Sequence, residues 1–279
     1  MVIFKKVTDI QSFISDLKAN GEAISFIPTM GALHKGHIFL VENARNAGGK
    51  TVASIFVNPT QFNDKEDFKH YPISVEADIA MLIEAGCDVL FLPDVSEVYP
   101  DGAENMPTYN FGYLEAILEG AHRPGHFKGV GQVVARLLDI VKPDRLYMGQ
   151  KDYQQCMVIK DLLRQTHSNI EMVVSPTVRE DDGLAMSSRN RRLNELQREA
   201  AGVIYQCLVS IVAKKGSDFG IVKKECEDIL KAKGFEPEYI ELAEADTLQL
   251  NDSYTNGKQV ALIAAKLGSI RLIDNMLIE

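Results

Sequence analysis

Three things are scarce in this sequence, and each scarcity removes a class of function. Cysteine occurs four times, at Cys87, Cys156, Cys207 and Cys226, with no C-x-x-C pair. Thiols scattered in this way read as reduced side chains, neither a disulfide framework nor a zinc ribbon. Long apolar runs are missing. No stretch reaches the roughly 18 residues that would span a bilayer, so no membrane partner is expected. Basic charge is short: 30 Lys and Arg stand against 39 Asp and Glu, a net charge of −9. A general nucleic-acid binder shows a basic face, so no nucleic-acid partner is expected, although one local pocket for a small anion stays compatible. The opening residues, "MVIFKKVTDI", lack the apolar core of a secretory signal. A cytoplasmic protein is the expectation.

What is present is a rhythm. "AISFIP" (23–28), "TVASIFV" (51–57), "CDVLFLP" (87–93), "DRLYMG" (144–149) and "IEMVVSP" (170–176) read as strands. Between them, 36–47, 75–86, 129–142 and 152–165 read as helices. Near-continuous Val/Ile/Leu strands alternating with helices predict a Rossmann-like, doubly wound parallel α/β sheet covered on both faces. After about residue 177 the pattern changes. Two helical stretches, 194–214 and 218–233, precede strand patterns at 239–244, 259–268 and 269–279. Short connections there predict a small antiparallel sheet. The expected division is a nucleotide-binding domain over 1–177 and a smaller α+β domain over 178–279.

In "FIPTMGALHKGHIFL" (26–40) a strand runs into a turn bearing His34 and His37, then into a helix. A zinc pair at this spacing lacks a third ligand nearby. Gly31 and Gly36 allow the backbone to come close to a ligand. The helix N-terminus aims free N–H groups and positive dipole at the same place. Two imidazoles and a helix N-terminus make an anion site, and phosphate is its usual occupant.

The turn resembles the H-x-G-H signature of the nucleotidyltransferase superfamily. Four further blocks stand in order: "SIFVNPTQF" (54–62), "RPGHFKGV" (123–130), "YMGQKDYQQ" (147–155) and "REDDGLAMSSRN" (179–190). Taken singly, their residues have bland readings. Gln61 would cap a turn, Ser187 and Ser188 a helix, Lys151 and Arg189 would be solvated charges, and Asp152, like Asp78 outside the blocks, a solvated or helix-start carboxylate. Together with "PTMGALHKGH" they closely resemble the pantoate–β-alanine ligase (pantothenate synthetase) family over most of the first 190 residues. "MSSR" resembles the superfamily's K-M-S-K-S loop.

The resemblance implies an AMP-forming ligase that joins (R)-pantoate to β-alanine through a pantoyl adenylate. ATP is a substrate and Mg²⁺ accompanies it. Met30, Gly31, Ala32, Leu33, His34, Lys35, Gly36 and His37 would form the ATP loop, with His34, His37 and Lys151 catalytic. Gly149, Gln150, Lys151 and Asp152 would continue the nucleotide site; Gln150 stands where the family often carries glutamate. Val178 would meet adenine through its backbone, and Met186, Ser187, Ser188 and Arg189 would cover the phosphates. Gln61 and Gln155 would hold pantoate, with Gln61 also near β-alanine. Asp78 is a candidate magnesium ligand, and Arg123 and His126 are expected in a mobile gate loop. A homodimer is implied. A cytidylyl- or adenylyltransferase of the same superfamily would explain the histidines and "MSSR", but not both "NPTQF" and "KDYQQ". A non-catalytic nucleotide-binding module would leave the full set of phosphate-directed groups without a task. An aminoacyl-tRNA synthetase is disfavoured by the acidic balance.

Overall fold

The structure is a computed structural model that describes residues 1–62, 69 and 71–279. Two compact units emerge from the packing: residues 1–149 with 158–175, and residues 150–157 with 176–279.

The first unit alternates strand and helix in the order β1 (Val2–Phe4), α1 (Val7–Ala19), β2 (Ile24–Thr29), α2 (Lys35–Asn46), β3 (Lys50–Ile55), α3 (Val75–Glu84), β4 (Val89–Phe91), α4 (His126–Val141), β5 (Arg145–Gly149) and β6 (Glu171–Ser175). A further helix, α5 (Tyr153–Gln165), bridges the chain between β5 and β6. Among the described residues six strands form one sheet in the order β1-β4-β3-β2-β5-β6. Every pairing in it is parallel. The strands read apolar because helices cover both faces. On one face α2 and α3 bury Leu40, Val41, Ala44, Leu82 and Ala85 against Ile27, Ala53, Ile55 and Leu90. On the other, α4 packs on β2 and against α1.

The strand order reverses direction between β2 and β5, which makes that boundary the topological switch point. Ligands of open α/β sheets bind beyond the carboxyl ends of the strands there. The histidine turn follows β2 and the "GQKD" turn follows β5, so the two motif turns leave the two strands that flank the switch.

The second unit holds α6 (Glu195–Ala201), α7 (Val203–Ala213) and α8 (Phe219–Ala232), then β7 (Phe235–Glu244), β8 (Leu250–Asn251), β9 (Gln259–Leu267) and β10 (Ile270–Ile278). Its four strands run antiparallel in the order β10-β9-β7-β8. The helical stretch expected over 194–214 is two helices, since α6 ends at Ala201 with Gly202 as its C-cap and α7 begins at Val203. One sheet face packs on α7 and α8 through Ile204, Leu208, Ile211, Val222 and Leu230 against Ile263, Leu272 and Ile278. Among the described residues no helix is long and apolar enough to cross a membrane.

This core sets a testable contrast within one helix. Leu208 is fully buried, whereas Val209 is 41% exposed. Leu208→Ala should lower unfolding free energy by about 2–5 kcal/mol, the range for a buried leucine truncated in place. Val209→Ala should stay within about 0.5 kcal/mol of the unsubstituted chain. Urea unfolding of both variants checks the difference.

Candidate active site

The histidine turn is built around a buried carboxylate. After β2 the backbone takes two left-handed residues, Gly31 at φ +80° and Ala32 at φ +48°. Glycine adopts this conformation freely, while alanine does so at a cost of about 1–2 kcal/mol. Asp78, in the first turn of α3, offsets that cost. Its carboxylate accepts the Ala32 and Leu33 N–H groups, each at 2.8 Å, and the Ser74 hydroxyl at 2.9 Å. A Cβ at position 31 would stand 3.0 Å from Asp78 Oδ2, so glycine is what lets the loop lie against the carboxylate.

The two imidazoles are then fixed by each other's backbone. His34 is the N-cap of α2, and its Nδ1 accepts the Gly36 N–H at 3.1 Å. His37 returns the arrangement, its Nδ1 accepting the His34 N–H at 3.3 Å. The rings lie 4.1 Å apart, centroid to centroid. A neutral imidazole that accepts at Nδ1 carries its proton on Nε2, so both rings are set as Nε2–H donors. Donors at a helix N-terminus suit an anion.

Gln61 closes a short turn, Pro59–Gln61, that is capped by Asn58. Asn58 receives the Tyr99 hydroxyl at 2.8 Å and gives its amide to Gln61 Oε1 and to the Gly129 carbonyl, both at 3.3 Å. Gln61 Nε2 in turn points at Met30 Sδ, 2.8 Å away, which brings Gln61 to the head of the histidine turn. A Cβ on Gly129 would fall 2.4 Å from the Thr60 carbonyl oxygen, so glycine allows α4 to close on this turn. His126 is buried at the start of α4 and its Nδ1 meets the Gln61 carbonyl at 2.8 Å, while Arg123 meets its Nε2 at 3.0 Å. With arginine donating to Nε2, the Nδ1–H is the donor to Gln61. Arg123 and His126, expected in a gate loop, here link the start of α4 to the Gln61 turn.

In the second unit the "GQKD" turn is a 3₁₀ helix, Gln150–Asp152. Lys151 lies 3.7 Å from Asp152, a weak pair because Asp152 is exposed. Residues 178–186 form a small hairpin: Met186 N–H donates to the Val178 carbonyl, Glu180 N–H to Leu184, and Arg179 bridges Ala185. Arg179 forks onto Asp274 at 2.6 and 3.1 Å, donates to the Gly183 and Asn275 carbonyls, and lies over the Tyr205 ring. Burial raises the Asp274 carboxyl above its ordinary range, and the Arg179 fork works against that rise. Ser187 caps the turn Ser188–Arg192 by accepting the Arg189 N–H at 3.3 Å.

A cavity of about 910 Å³ opens elsewhere in the first unit, among Tyr109, Gln132, Arg136, Lys142 and Thr166. Lys142 and Thr166 precede β5 and β6, and no motif residue borders it.

The comparisons with known proteins converge on one family. The profile described as pantoate-beta-alanine ligase matches residues 2–277. The chain belongs to the pantoate-beta-alanine ligase family. It is 43% identical over 284 residues to a pantothenate synthetase of Cytophaga hutchinsonii, covering 100% of this chain and 99% of the relative. It superposes with a TM-score of 0.91 on the crystal structure of pantothenate synthetase from Thermus thermophilus, at 41% identity and 99% coverage of each chain. The pantoate-beta-alanine ligase of Francisella tularensis, solved with beta-gamma ATP and beta-alanine, matches with a TM-score of 0.83 at 37% identity, covering 99% of this chain and 97% of that one.

Among the residues expected to serve this ligase family, Met30 to His37, Gln61, Asp78 and Gly149 lie in the first unit. Gln150, Lys151, Asp152, Gln155, Val178 and Met186 to Arg189 lie in the second. Lys35 is exposed, and Gln155 stands half-buried in the first turn of α5. Asp78, expected as a magnesium ligand, is 1% exposed and directs its oxygens at two backbone N–H groups and a hydroxyl. A cation could approach only by displacing the bonds that hold the turn. Sequence reasoning missed Arg179, Asp274 and Asn275. A signal was present in "SIRLIDNMLIE": Ile270, Leu272, Met276 and Ile278 share one strand face, and Asp274 falls in that row. An ionisable residue at an inward position asks for a partner.

If Asp78 braces the turn, Asp78→Ala should destabilise the metal-free protein. Two buried N–H groups left without acceptors should cost about 2–6 kcal/mol. Denaturant unfolding in chelator measures this. A magnesium ligand would instead leave the chelated protein's stability unchanged.

Proposed function

We propose that the protein condenses (R)-pantoate with β-alanine in two steps, using ATP. A carboxylate is a poor acyl donor because its leaving group would be an oxide. A pantoate carboxylate oxygen therefore attacks the α-phosphorus of ATP, and pyrophosphate departs. The β-alanine amine then attacks the acyl carbon of the pantoyl adenylate, loses a proton, and AMP departs as pantothenate forms. The family membership supports the overall reaction. The observation in this chain that carries it is the reciprocal cap of His34 and His37, which sets both rings as Nε2–H donors at a helix N-terminus, as an anionic ligand would need.

The first step is an in-line substitution at phosphorus, so the chain's work is placement and neutralisation of charge. His34 and His37 donate hydrogen bonds from Nε2–H to phosphate oxygens, and His37 does so to the departing pyrophosphate, stabilising its charge. Met30 to His37 supply the rest of the ATP loop. Lys151 addresses the transferring phosphate, Gly149 and Gln150 continue the nucleotide site, and Asp152 takes the ribose hydroxyls. Val178 meets adenine through its backbone. Met186, Ser187, Ser188 and Arg189 cover the phosphates. Gln61 and Gln155 hold pantoate, and Gln61 also serves β-alanine. Neutral amides orient a carboxylate without quenching the nucleophile. The acyl group rests on AMP, not on the protein. Cys156, the cysteine next to Gln155, is buried, and burial pushes its thiol up, which keeps it in the unreactive neutral form.

Among the described residues no three His, Cys, Asp or Glu side chains gather as a metal site. With Asp78 engaged by the turn, the described residues do not build a magnesium cage. Mg²⁺ belongs to this reading as the companion of ATP, carried on phosphate oxygens. A homodimer working in the cytoplasm belongs to it on the family resemblance.

Labelled pyrophosphate should exchange into ATP when pantoate is present and β-alanine absent. His37→Ala should stay folded by thermal unfolding yet lose exchange on the order of 10²–10³-fold, as for removal of one preset donor. AMP should be released with pantothenate. Retention of the nucleotide on the product, or recovery of a pantoyl group covalently bound to protein, would refute the reading.

A further inference from the structure

The side-chain hydrogen bonds of Asn275 all end on one segment. Its amide donates to the Gln150 carbonyl at 2.9 Å and to the Lys151 carbonyl at 2.8 Å. Its oxygen accepts the Gln150 side-chain amide at 3.2 Å. Both donors facing carbonyls fixes which end of the amide is nitrogen. Asn275 is 2% exposed and lies on the opposite strand face from the apolar row Ile270, Leu272, Met276 and Ile278. Its own backbone is gripped in turn: its N–H donates to Asp274 Oδ1 at 2.8 Å, and its carbonyl receives Arg179 at 3.2 Å.

A three-residue 3₁₀ turn is too short to hold itself rigid. Two successive carbonyls tied to one planar amide remove the rotation by which such a turn would swing its middle residue. The middle residue is Lys151. The last strand thus sets the direction in which Lys151 leaves the backbone, and the Arg179–Asp274 pair sets the last strand.

We propose that Asn275 is a positioning residue for adenylation, acting through Lys151 by clamping the Gln150 and Lys151 carbonyls. The inference rests on the reading of Lys151 as a phosphate-directed group. A lysine displaced by about 1 Å from a developing charge can lose on the order of a hundredfold in rate. Asn275→Ala should therefore lower the kcat of pantoate-dependent pyrophosphate exchange by roughly tenfold to a hundredfold, with the KM for ATP within about threefold.

A double-mutant cycle separates positioning from general damage. Exchange is measured for the unsubstituted chain, Asn275→Ala, Lys151→Ala and the double variant, each normalised to folded protein by thermal unfolding. If Asn275 acts through Lys151, adding Asn275→Ala to Lys151→Ala should change the rate less than about threefold, since the two effects are not independent. Leu272→Ala on the same strand should lower the unfolding midpoint and leave the rate per folded molecule unchanged. Should Asn275→Ala fail to fold, Asn275→Asp takes its place, because it keeps the size and removes both donors. Multiplying effects in the double variant, or a normal rate in Asn275→Ala, would overturn the inference. Full exchange in Lys151→Ala would overturn it together with the assignment of Lys151, and an inactive unsubstituted chain would overturn the functional reading itself.

Discussion

A carboxylate with almost no contact with water, accepting two backbone N–H groups from a turn 45 and 46 residues earlier in the chain, is the contact on which the histidine site depends. Without Asp78 the left-handed pair Gly31–Ala32 would have no compensation for its strain, and the N-terminus of α2 would have no fixed direction. Strain of this kind persists only where the surroundings over-determine it, and it gathers at functional sites. Here the surroundings are α3 and β3, packed on the sheet by Ile55, Leu82 and Ala85. Sheet packing thus governs where the turn sits, the turn sets the helix start, and the helix start fixes the tautomer of two imidazoles. Which ring nitrogen carries the proton is decided by bonds made at Nδ1.

The Gln61 side follows the same logic with neutral groups. Asn58 is buried and its amide binds Gln61 and Gly129, while its oxygen takes Tyr99 and the Thr60 hydroxyl. The amide of Gln61 is therefore oriented before any ligand is present: its oxygen is engaged and its nitrogen faces Met30. A glutamine left to rotate would bind a carboxylate or a hydroxyl equally well. One held by a second amide presents one fixed end, at the entropic advantage of a preset rotamer.

How much of this could be seen in the sequence depended on distance along the chain. The β2 turn and α2 were legible because strand, glycines, histidines and helix start are contiguous. So was the switch to an antiparallel sheet after residue 177. The strand β1 was not: three residues cannot establish a period, and their partner is β4, with Val2 opposite Val89. Gly202 divides what periodicity alone joins over 194–214, since a glycine inside an apolar helical pattern marks a boundary only when the packing is known. The role of Asp78 as acceptor to Ala32 and Leu33 is not legible, because nothing in "VEADIAMLIEAG" reports an N–H group in another turn. Ser187 caps the turn Ser188–Arg192, as a serine before such a turn commonly does.

The second unit repeats the device of the first with a different cost. Asp274 sits in an apolar row and must be compensated there, which Arg179 does with a two-pronged contact. Buried ion pairs of this kind add little net stability, since desolvation cancels most of the attraction, and apolar replacements are often tolerated. Stability therefore does not account for the pair. Geometry does: Arg179 opens the hairpin that leads into "MSSR", and Asp274 precedes the residue that holds the carbonyls of "GQKD". A leucine pair of equal volume would pack as well and fix neither segment's direction. In each unit a buried acid anchors a motif segment that propensity alone would leave loose, and in each the acid lies far along the chain from what it anchors.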